Sequence, residues 1–366
     1  MKKLEDFKEE IHRCSKCGIC QHACPVYQEL GNDCAVSRGQ FIMLDGVIKG
    51  DLKLNKNINK YLDLCLKCNK CKSACPTSID VVQIILSAKY EYLKNTFGGK
   101  LENALYSFLE SKFVFDNFLN FAGMISRLFR PKKNQKKLEY SRAKAVYWGG
   151  CVEKFRPDIR DYVIELLNKM NIEVIDVNFN CCGMPFLTTG NLDRFEEQKQ
   201  ENLKKLEELE YDFIVTDCAS CEYVLDELYT NGDLKKNGKL KSIYELIAES
   251  DLEFVAKKSV AITYHKPCHE KHSDEIKKVI EKCEKVEYKQ MNDYDSCCGL
   301  AGLEHLSTIK TVSRIIKKKG QNILDVGADI LTTSCVGCLV ATKISTLFKQ
   351  KTKRLITFLK EECRCK

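Results

Sequence analysis

Short apolar runs alternate with amphipathic segments through the last two thirds of the chain. Apolar runs of four or five residues are typical of buried strands. Strands are therefore predicted at Ala145–Trp148, Glu173–Val177, Phe213–Thr216, Val260–Tyr264, Val286–Lys289 and Ile330–Thr333. Ile159–Met170 has the apolar spacing of a helix between the first two strands. Alternating strands and helices predict two α/β domains, at 142–250 and 251–366.

The first 95 residues have a helical pattern instead. Helices are predicted at Arg38–Val47 and at Ser78–Asn95. The second helix has an apolar stripe, formed by Ile79, Val82, Ile85, Leu86 and Leu93. We therefore expect an α-helical domain over residues 1–95, followed by an amphipathic helical linker over 96–141.

The linker is rich in phenylalanine and ends in basic residues. The aromatic residues are Phe108, Phe113, Phe115, Phe118, Phe121 and Phe129, and Arg130-Pro131-Lys132-Lys133 follows them. Aromatic residues beside a basic tail are typical of contact with an anionic membrane surface, here through residues 101–137. A helix pair packed between domains has the same pattern, and we favour it because Phe stripes more often face protein.

The 366 residues include 22 cysteines and have a net charge of +8. Residues 1–10 contain no apolar core of a signal peptide, and no apolar run is long enough to span a membrane. We therefore expect a cytoplasmic protein, or one peripheral on the inner face of the cell membrane. Cysteines in a reducing compartment are more often metal ligands than cystines. The small charge lies on no nucleic-acid motif, so no nucleic-acid partner is expected.

Two cysteine runs repeat at an offset of 51 residues, and each ends before a proline. They consist of Cys14, Cys17, Cys20 and Cys24, and of Cys65, Cys68, Cys71 and Cys75. CxxCxxCxxxCP is the spacing of bacterial ferredoxins, in which the fourth cysteine binds the neighbouring cluster. We expect one [4Fe-4S] cluster on Cys14, Cys17, Cys20 and Cys75, and another on Cys65, Cys68, Cys71 and Cys24. Zinc knuckles are the alternative, but zinc takes ligands in two spaced pairs.

A different motif repeats in the second half, at an offset of 116 or 117 residues. The first unit contains Cys151, Cys181-Cys182-Gly183 and Cys218-Ala219-Ser220-Cys221. The second contains Cys268, Cys297-Cys298-Gly299 and Cys335-Val336-Gly337-Cys338. Five thiols exceed the four that a tetrahedral zinc or an ordinary cubane uses. A larger or unusual cluster is therefore predicted in each CCG unit. A four-cysteine cubane with a spare thiol, a CxxC redox pair and a zinc scaffold are the alternatives.

The chain resembles a known family through these motifs and through three flanking stretches. The stretches are Ser37-Arg38-Gly39-Gln40, Tyr264-His265-Lys266-Pro267-Cys268-His269 and Cys297-Cys298-Gly299-Leu300-Ala301-Gly302. The order of a double ferredoxin run and two CCG units is similar to that of the fused iron–sulfur subunit of heterodisulfide reductase. Related proteins are the C subunit of anaerobic glycerol-3-phosphate dehydrogenase and the iron–sulfur subunits of glycolate and lactate oxidation. The resemblance implies a helical ferredoxin domain followed by two pseudo-symmetric α/β CCG domains.

In heterodisulfide reductases each complete CCG unit holds a noncubane [4Fe-4S] cluster, and a disulfide is cleaved between the two. The resemblance thus implies that Cys151, Cys181, Cys182, Cys218 and Cys221 hold one such cluster. It implies that Cys268, Cys297, Cys298, Cys335 and Cys338 hold the other. Both units keep all five cysteines, which favours cleavage of a disulfide at these clusters. In the dehydrogenase branch, CCG units often lose ligands.

No GxGxxG or GxxxxGK[ST] motif is present, so no flavin, nicotinamide or nucleotide of its own is expected. Electrons then come from a flavoprotein or haem subunit. The acceptor is a disulfide, or else a quinone. In the quinone case the chain is the electron-transfer subunit of a flavin-dependent glycerol-3-phosphate or 2-hydroxyacid (lactate or glycolate) dehydrogenase.

Six further residues have a weaker claim to function. His265 and His269 flank Cys268, where they could donate a hydrogen bond to cluster sulfur or a proton to a departing thiolate. Structural histidines would show the same pattern. Cys34 and Cys283 are expected to be structural thiols. Cys363 and Cys365 could form a redox pair, but they are expected to lie in a mobile tail.

Overall fold

The computed structural model describes residues 3–109, 141–151, 156–175, 177–300 and 309–366. They form two compact units. The first contains the described parts of Met1–Ser111, Pro185–Phe195 and Ser296–Lys319, and the second contains those of Lys112–Met184, Glu196–Asp295 and Gly320–Lys366. Most of the predicted linker and of the 101–137 segment lies outside the described residues, as do Ala301 and Gly302. Among the described helices, none is long and apolar enough to cross a membrane.

The described N-terminal part is helical, as predicted. After a 3-10 turn at Leu4–Phe7, its helices are α1 (Lys8–His12), α2 (Ile19–Ala23), α3 (Pro25–Leu30), α4 (Ser37–Ile48), α5 (Lys56–Leu62), α6 (Lys70–Ala74), α7 (Val81–Asn95) and α8 (Phe97–Leu109). Helix α4 matches the predicted helix to within one residue at each end.

Helix α7 begins three residues later than predicted because of its cap. Ser78 has a left-handed φ of +50°, which ends the helical pattern there. The Asp80 side chain accepts a hydrogen bond from the backbone N–H of Gln83 and so caps the helix. All five residues of the predicted stripe are buried. The helix is therefore the central element of the N-terminal core.

Residues 141–366 fold into strands and helices in alternation. The strands are β1 (Ala143–Trp148), β2 (Ile172–Ile175), β3 (Phe213–Thr216), β4 (Leu240–Ser242), β5 (Phe254–Tyr264), β6 (Cys283–Tyr288), β7 (Ile330–Thr333), β8 (Lys351–Arg354) and β9 (Cys363–Cys365). The helices are α9 (Pro157–Lys169), α10 (Met184–Thr189), α11 (Leu192–Glu207), α12 (Ala219–Tyr223), α13 (Asp233–Lys236), α14 (Ile243–Glu249), α15 (Ser273–Glu281), α16 (Ile309–Asp325), α17 (Val336–Ser345) and α18 (Leu355–Glu362). A π-helical segment, Val224–Tyr229, follows α12.

Two parallel sheets have the same strand order. The first is β2-β1-β3-β4 and the second is β6-β5-β7-β8. Two motif cysteines of each sheet follow the carboxyl ends of its central strands, where α/β sheets place their chemistry: Cys151 and Cys218 in the first sheet, and Cys268 and Cys335 in the second. One apolar core, including Tyr147, Ile262 and Phe358, joins the two sheets, and α9 packs on α18 while α14 packs on α15 within it. The shared order is consistent with an internal duplication.

The second sheet contains pairing that the sequence pattern did not predict. Strand β5 begins at Phe254 instead of Val260, and its first residues pair antiparallel with β9. Ala256 lies opposite Cys363, and Phe254 lies opposite Cys365. The prediction of a mobile tail was therefore wrong, because the C-terminal residues complete the sheet.

Candidate metal centre

The two ferredoxin-type loops have the same backbone conformation. Lys16 and Lys67, 51 residues apart, both have a left-handed φ, at +58° and +54°. Gly18 and Asn69, also 51 residues apart, have φ of +85° and +59° and precede helices α2 and α6. Asparagine tolerates this region better than most residues, so it can replace the glycine. The cysteine spacing thus corresponds to a loop conformation that is repeated in the two runs.

The fourth cysteine of each run lies beside the other run. Cys75 lines a cavity together with Cys14, Cys17 and Cys20. Cys24 lies beside the second run: burial raises its pKa to about 12, and the nearby Cys68 and Cys65 add to the rise. Helices α2 and α6, which contain the third cysteines, pack against each other. This exchange is the arrangement that the spacing predicts.

The surroundings of the two loops differ in charge and exposure. Lys16 and Cys17 are exposed, whereas Lys67 is buried and its Nζ lies 3.4 Å from the carbonyl oxygen of Cys65. Burial lowers the pKa of Lys67 to about 8, and the neighbouring Lys89 adds to this effect. Lys89 itself forms a buried ion pair with Asp63, with Nζ 2.5 Å from Oδ1. The lysine of the second loop is therefore buried beside its cysteines, whereas the corresponding lysine of the first loop is exposed.

All five thiols of the first CCG unit form one continuous hydrogen-bonded chain. Cys151 contacts Cys181, Cys181 contacts Cys182, Cys182 contacts Cys221, and Cys221 contacts Cys218. Cys181, Cys182, Cys218 and Cys221 are each at most 7% exposed. The structure therefore brings together the whole predicted ligand set of this unit.

The thiols of the second CCG unit divide between the two compact units. Cys335 contacts Cys338, and it also contacts Cys218 of the first unit's set. Ser220 Oγ lies 3.1 Å from Cys335 Sγ. Cys268 is half-buried in the same compact unit, whereas Cys297 and Cys298 are buried in the compact unit that contains the ferredoxin loops. The CxxC segments of the two CCG units are thus in contact through Cys218 and Cys335.

The glycine of each CCG motif is required by the backbone. Gly183 and Gly299 have φ of +90° and +86°, where a side chain is strained. A Cβ added to Gly299 would also lie 2.7 Å from Cγ1 of Ile316. The glycines let the chain turn directly after the paired cysteines.

Asn202 hydrogen-bonds to the backbone at the first cysteine pair. The sequence analysis did not predict this residue. This fully buried residue of α11 donates a hydrogen bond from Nδ2 to the carbonyl of Cys181 at 3.0 Å, and its Oδ1 accepts one from the N–H of Asn180. The Tyr229 hydroxyl donates to the carbonyl of Cys182 at 3.0 Å. Both paired cysteines therefore have an anchored backbone.

Buried acid groups lie next to ligand cysteines in both units. Asp217, which precedes Cys218, forms a buried ion pair with Arg354, with Nη2 2.7 Å from Oδ2. In the second unit Ser334, which precedes Cys335, donates a hydrogen bond to Glu270 at 2.7 Å. Burial raises the pKa of both carboxyl groups. These partners lie far apart along the chain, so sequence patterns contain no signal for them.

The two histidines near Cys268 have different surroundings. His265 is fully buried, and an imidazole nitrogen lies within 4.8 Å of Cys338 Sγ. The ring of His269 stacks on Tyr223, with centroids 4.2 Å apart. His265 is therefore close enough to influence a ligand thiol, whereas His269 packs against the helix that follows Cys218.

The remaining cysteines lie apart from these ligand sets. Cys283 and Cys363 are buried and share a hydrogen bond, and Cys283 also contacts the carbonyl oxygen of Val279 at 3.2 Å. Cys34 and Cys365 are half-buried. The predicted partner of Cys363 was Cys365, but the thiol hydrogen-bonded to Cys363 is Cys283.

The chemistry of these donor sets fits iron–sulfur clusters. The hydrogen bond with Cys181 and burial together raise the pKa of Cys151, and burial is the main cause that raises the pKa of Cys71. Thiolates are the metal-binding form, and buried thiols in mutual contact cannot all ionise without a compensating cation. Clusters held by thiolates supply that positive charge. The ferredoxin and CCG cysteines are thus the residues that could hold them.

Comparison with known families agrees with this geometry. Residues 10–79 match the 4Fe-4S dicluster domain, and residues 145–226 and 262–343 each match the cysteine-rich domain called CCG. An uncharacterized iron–sulfur protein of Methanococcus maripaludis is 28% identical over 347 residues, covering 92% of this chain and 67% of that protein.

Two relatives with named functions match over most of their own length and of this chain. A probable glycolate oxidase iron–sulfur subunit of Bacillus subtilis is 22% identical, covering 94% of this chain and 92% of the relative. One subunit of the dihydromethanophenazine:CoB–CoM heterodisulfide reductase of Methanosarcina acetivorans is 20% identical, with coverages of 90% and 87%.

A crystal structure of a hypothetical protein from Helicobacter pylori shares the fold. The TM-score is 0.52 at 11% identity, and the likeness covers 88% of this chain and 67% of the other. The family resemblance is thus confirmed by domain order and by related sequences. The chain belongs to the family of iron–sulfur proteins in which a 4Fe-4S dicluster domain precedes two CCG domains, together with the heterodisulfide reductase and glycolate oxidase subunits that it matches.

Proposed function

We propose that this protein is an iron–sulfur oxidoreductase subunit that passes electrons to its paired CCG sites, where a disulfide is reduced. The observation that carries the proposal is the unbroken chain of five thiols in the first CCG unit, which continues to Cys335 of the second. A relay that only transfers electrons needs four ligands to a cluster. Five ligands in each unit, with the units adjoining, favour chemistry on sulfur.

The ferredoxin part supplies the electrons one at a time. Cys14, Cys17, Cys20 and Cys75 would hold one [4Fe-4S] cluster, and Cys65, Cys68, Cys71 and Cys24 would hold the other. The cavity shared by the first set and the position of Cys24 beside Cys65 and Cys68 support this assignment.

Reduction of a disulfide takes two electrons and two protons and yields two thiols. Noncubane [4Fe-4S] clusters on the CCG cysteines would supply the electrons and bind the sulfur atoms. Of this chain's own groups, His265, whose ring nitrogen lies within 4.8 Å of Cys338 Sγ, would give one of these protons to a departing thiolate, and the second thiolate would take its proton from solvent on release. Burial of the surrounding thiols excludes water from this step.

The electrons originate outside the chain. A flavoprotein or a haem subunit would provide them, since a flavin converts hydride pairs into single electrons. The relatives named as subunits of glycolate oxidase and heterodisulfide reductase support a partner subunit.

Helix α8 supports a peripheral site on the inner face of the cell membrane. Its residues Phe97, Leu101, Leu105 and Phe108 recur at helical spacing and are 88%, 70%, 54% and 66% exposed. Vesicles with anionic lipid should therefore retain the protein in a flotation assay, and a Phe97→Ser/Phe108→Ser variant should float less. No flotation of either protein would leave a cytoplasmic site, and equal flotation of both would show that helix α8 does not carry the membrane contact.

Electron delivery to quinone is the second candidate, favoured by the glycolate oxidase subunit that matches over 92% of its own length. Paramagnetic resonance of anaerobically oxidised protein separates the two candidates. A new signal that requires added thiol and disappears in Cys298→Ala supports disulfide reduction. Cys283→Ala, which removes an equally buried cysteine outside the ligand sets, should keep the signal. Absence of the signal, with activity only beside a flavoprotein and quinone, would support the second candidate.

A further inference from the structure

The two CCG units differ in the charge of one buried side chain next to their paired cysteines. The cysteine motifs of the two CCG units repeat at an offset of 116 or 117 residues, and helices α11 and α16 follow the two cysteine pairs. At the offset of 117 residues Asn202 of α11 corresponds to Lys319 of α16. A neutral amide in one unit is thus replaced by an amine in the other.

Both side chains are buried and reach the same point of the motif. Asn202 is fully buried and binds the backbone of Asn180 and Cys181. Lys319 is 2% exposed, and its Nζ lies 3.2 Å from Oγ of Ser296, the residue before Cys297. Ser296 corresponds to Asn180 at the 116-residue offset of the cysteine pairs.

The lysine is close enough to act on the charge of a cluster. Adjacent Cα atoms are about 3.8 Å apart, so the amine, which lies 3.2 Å from Ser296 Oγ, is within about 12 Å of the Cys297 sulfur. Thiolate ligands beside it favour its charged form. A positive charge stabilises the reduced, more negative form of a cluster, and net charge is one of the factors that set its potential.

We infer that Lys319 raises the reduction potential of a cluster at the second CCG site. The inference rests on the proposed function only in requiring a cluster at that site. The expected size of this effect follows from Coulomb's law, since one charge about 12 Å away at an effective dielectric constant of about 20 changes the reduction equilibrium about tenfold. Tenfold corresponds to about 59 mV for one electron.

A second observation places the same site next to the electron source. Cys297 and Lys319 belong to the compact unit that contains the ferredoxin loops. Burial raises the pKa of Cys65, and the nearby Cys297 is one of the charges that add to the rise. The second ferredoxin loop and the Cys297–Cys298 pair therefore belong to the same compact unit, which supports electron entry at that pair.

The test is a redox titration of the full iron-loaded protein, followed by paramagnetic resonance. Loss of a signal in Cys298→Ser assigns it to the second CCG site, and loss in Cys182→Ser assigns it to the first. Lys319→Asn should lower the second potential by about 59 mV, whereas Lys319→Arg should preserve it. Lys318→Asn is the matched control, because it removes the same charge from an exposed neighbour and should cause no shift.

Each outcome bears on the inference. A Lys319→Asn shift no larger than that of Lys318→Asn would overturn it. If Lys319→Asn loses iron, Lys319→Gln replaces it in the titration, and a second-site potential equal to that of the wild-type protein would overturn the inference. Absence of any CCG signal from the wild-type protein would instead refute the proposed function.

Discussion

Replacing Arg354 by methionine tests whether the buried ion pair beside Cys218 stabilises the α/β part. The Arg354 side chain is 2% exposed and that of Asp217 is 0% exposed, and Nη2 lies 2.7 Å from Oδ2. The same Nη2 donates to the carbonyl oxygen of Asp217 at 2.6 Å. Arg354→Met therefore leaves a buried carboxylate without its cation. Removal of one partner of such a pair costs about 3 to 5 kcal/mol.

Urea unfolding of the anaerobically prepared protein, followed by circular dichroism, measures this loss. With a urea dependence of about 3 kcal/mol/M, the midpoint should fall by roughly 1 M or slightly more. The double variant Asp217→Asn/Arg354→Met should lose less free energy of unfolding than the two single variants together, because neither charge then remains unpaired. Lys277→Met is the control, since Lys277 pairs with Glu281 at 3.9 Å on the surface, and no measurable change is expected. Equal midpoints for Arg354→Met and the control, or additive costs in the double variant, would refute the reasoning.

Three further predictions concern pH, a glycine and the removal of iron. Burial lowers the pKa of His272, but its hydrogen bond with Glu222 outweighs this and raises the pKa. The resulting stability is fully present below the unfolded pKa of about 6.5 and is lost as pH rises through the folded value. His272→Gln should thus lower the free energy of unfolding in urea by about 2 kcal/mol at pH 6 and by less at pH 9. Equal losses at the two pH values would contradict this. Gly150→Ala should lower the iron content by about four atoms, because the new Cβ would lie 3.0 Å from a ligand sulfur at φ +59°. Gly31→Ala, at φ +60° with nothing within 4 Å, should keep its iron, and equal iron in both variants would remove the steric explanation. Chelation of iron should raise the fluorescence of Trp148, the sole tryptophan, because clusters absorb its emission, and unchanged fluorescence would argue against a cluster at the first CCG site.

The ferredoxin loops could be predicted closely because their information is local. Three cysteines at steps of three and a Cys-Pro fix the loop and its continuation within about a dozen residues. The structure accordingly places Cys75 with Cys14 and Cys24 beside Cys65. Strands with strong apolar runs, such as β3 and β7, have the predicted bounds.

Contacts between distant segments could not be predicted in this way. Strand β9 forms because Cys363 meets Ala256, and nothing near Cys363 indicates that partner. Arg354 and Asp217 are 137 residues apart, and their pairing depends on how the two sheets share one core. The replacement of Asn202 by Lys319 was visible in the repeat offset, but its meaning required the burial of both side chains.

The number of iron and sulfide atoms per chain in anaerobically purified protein tests the central claim most directly. Two clusters in the ferredoxin part and one in each CCG unit predict about sixteen of each. Zinc with little iron would contradict the cluster account, and about eight iron atoms would restrict clusters to the ferredoxin loops and exclude reduction of a disulfide at the CCG sites.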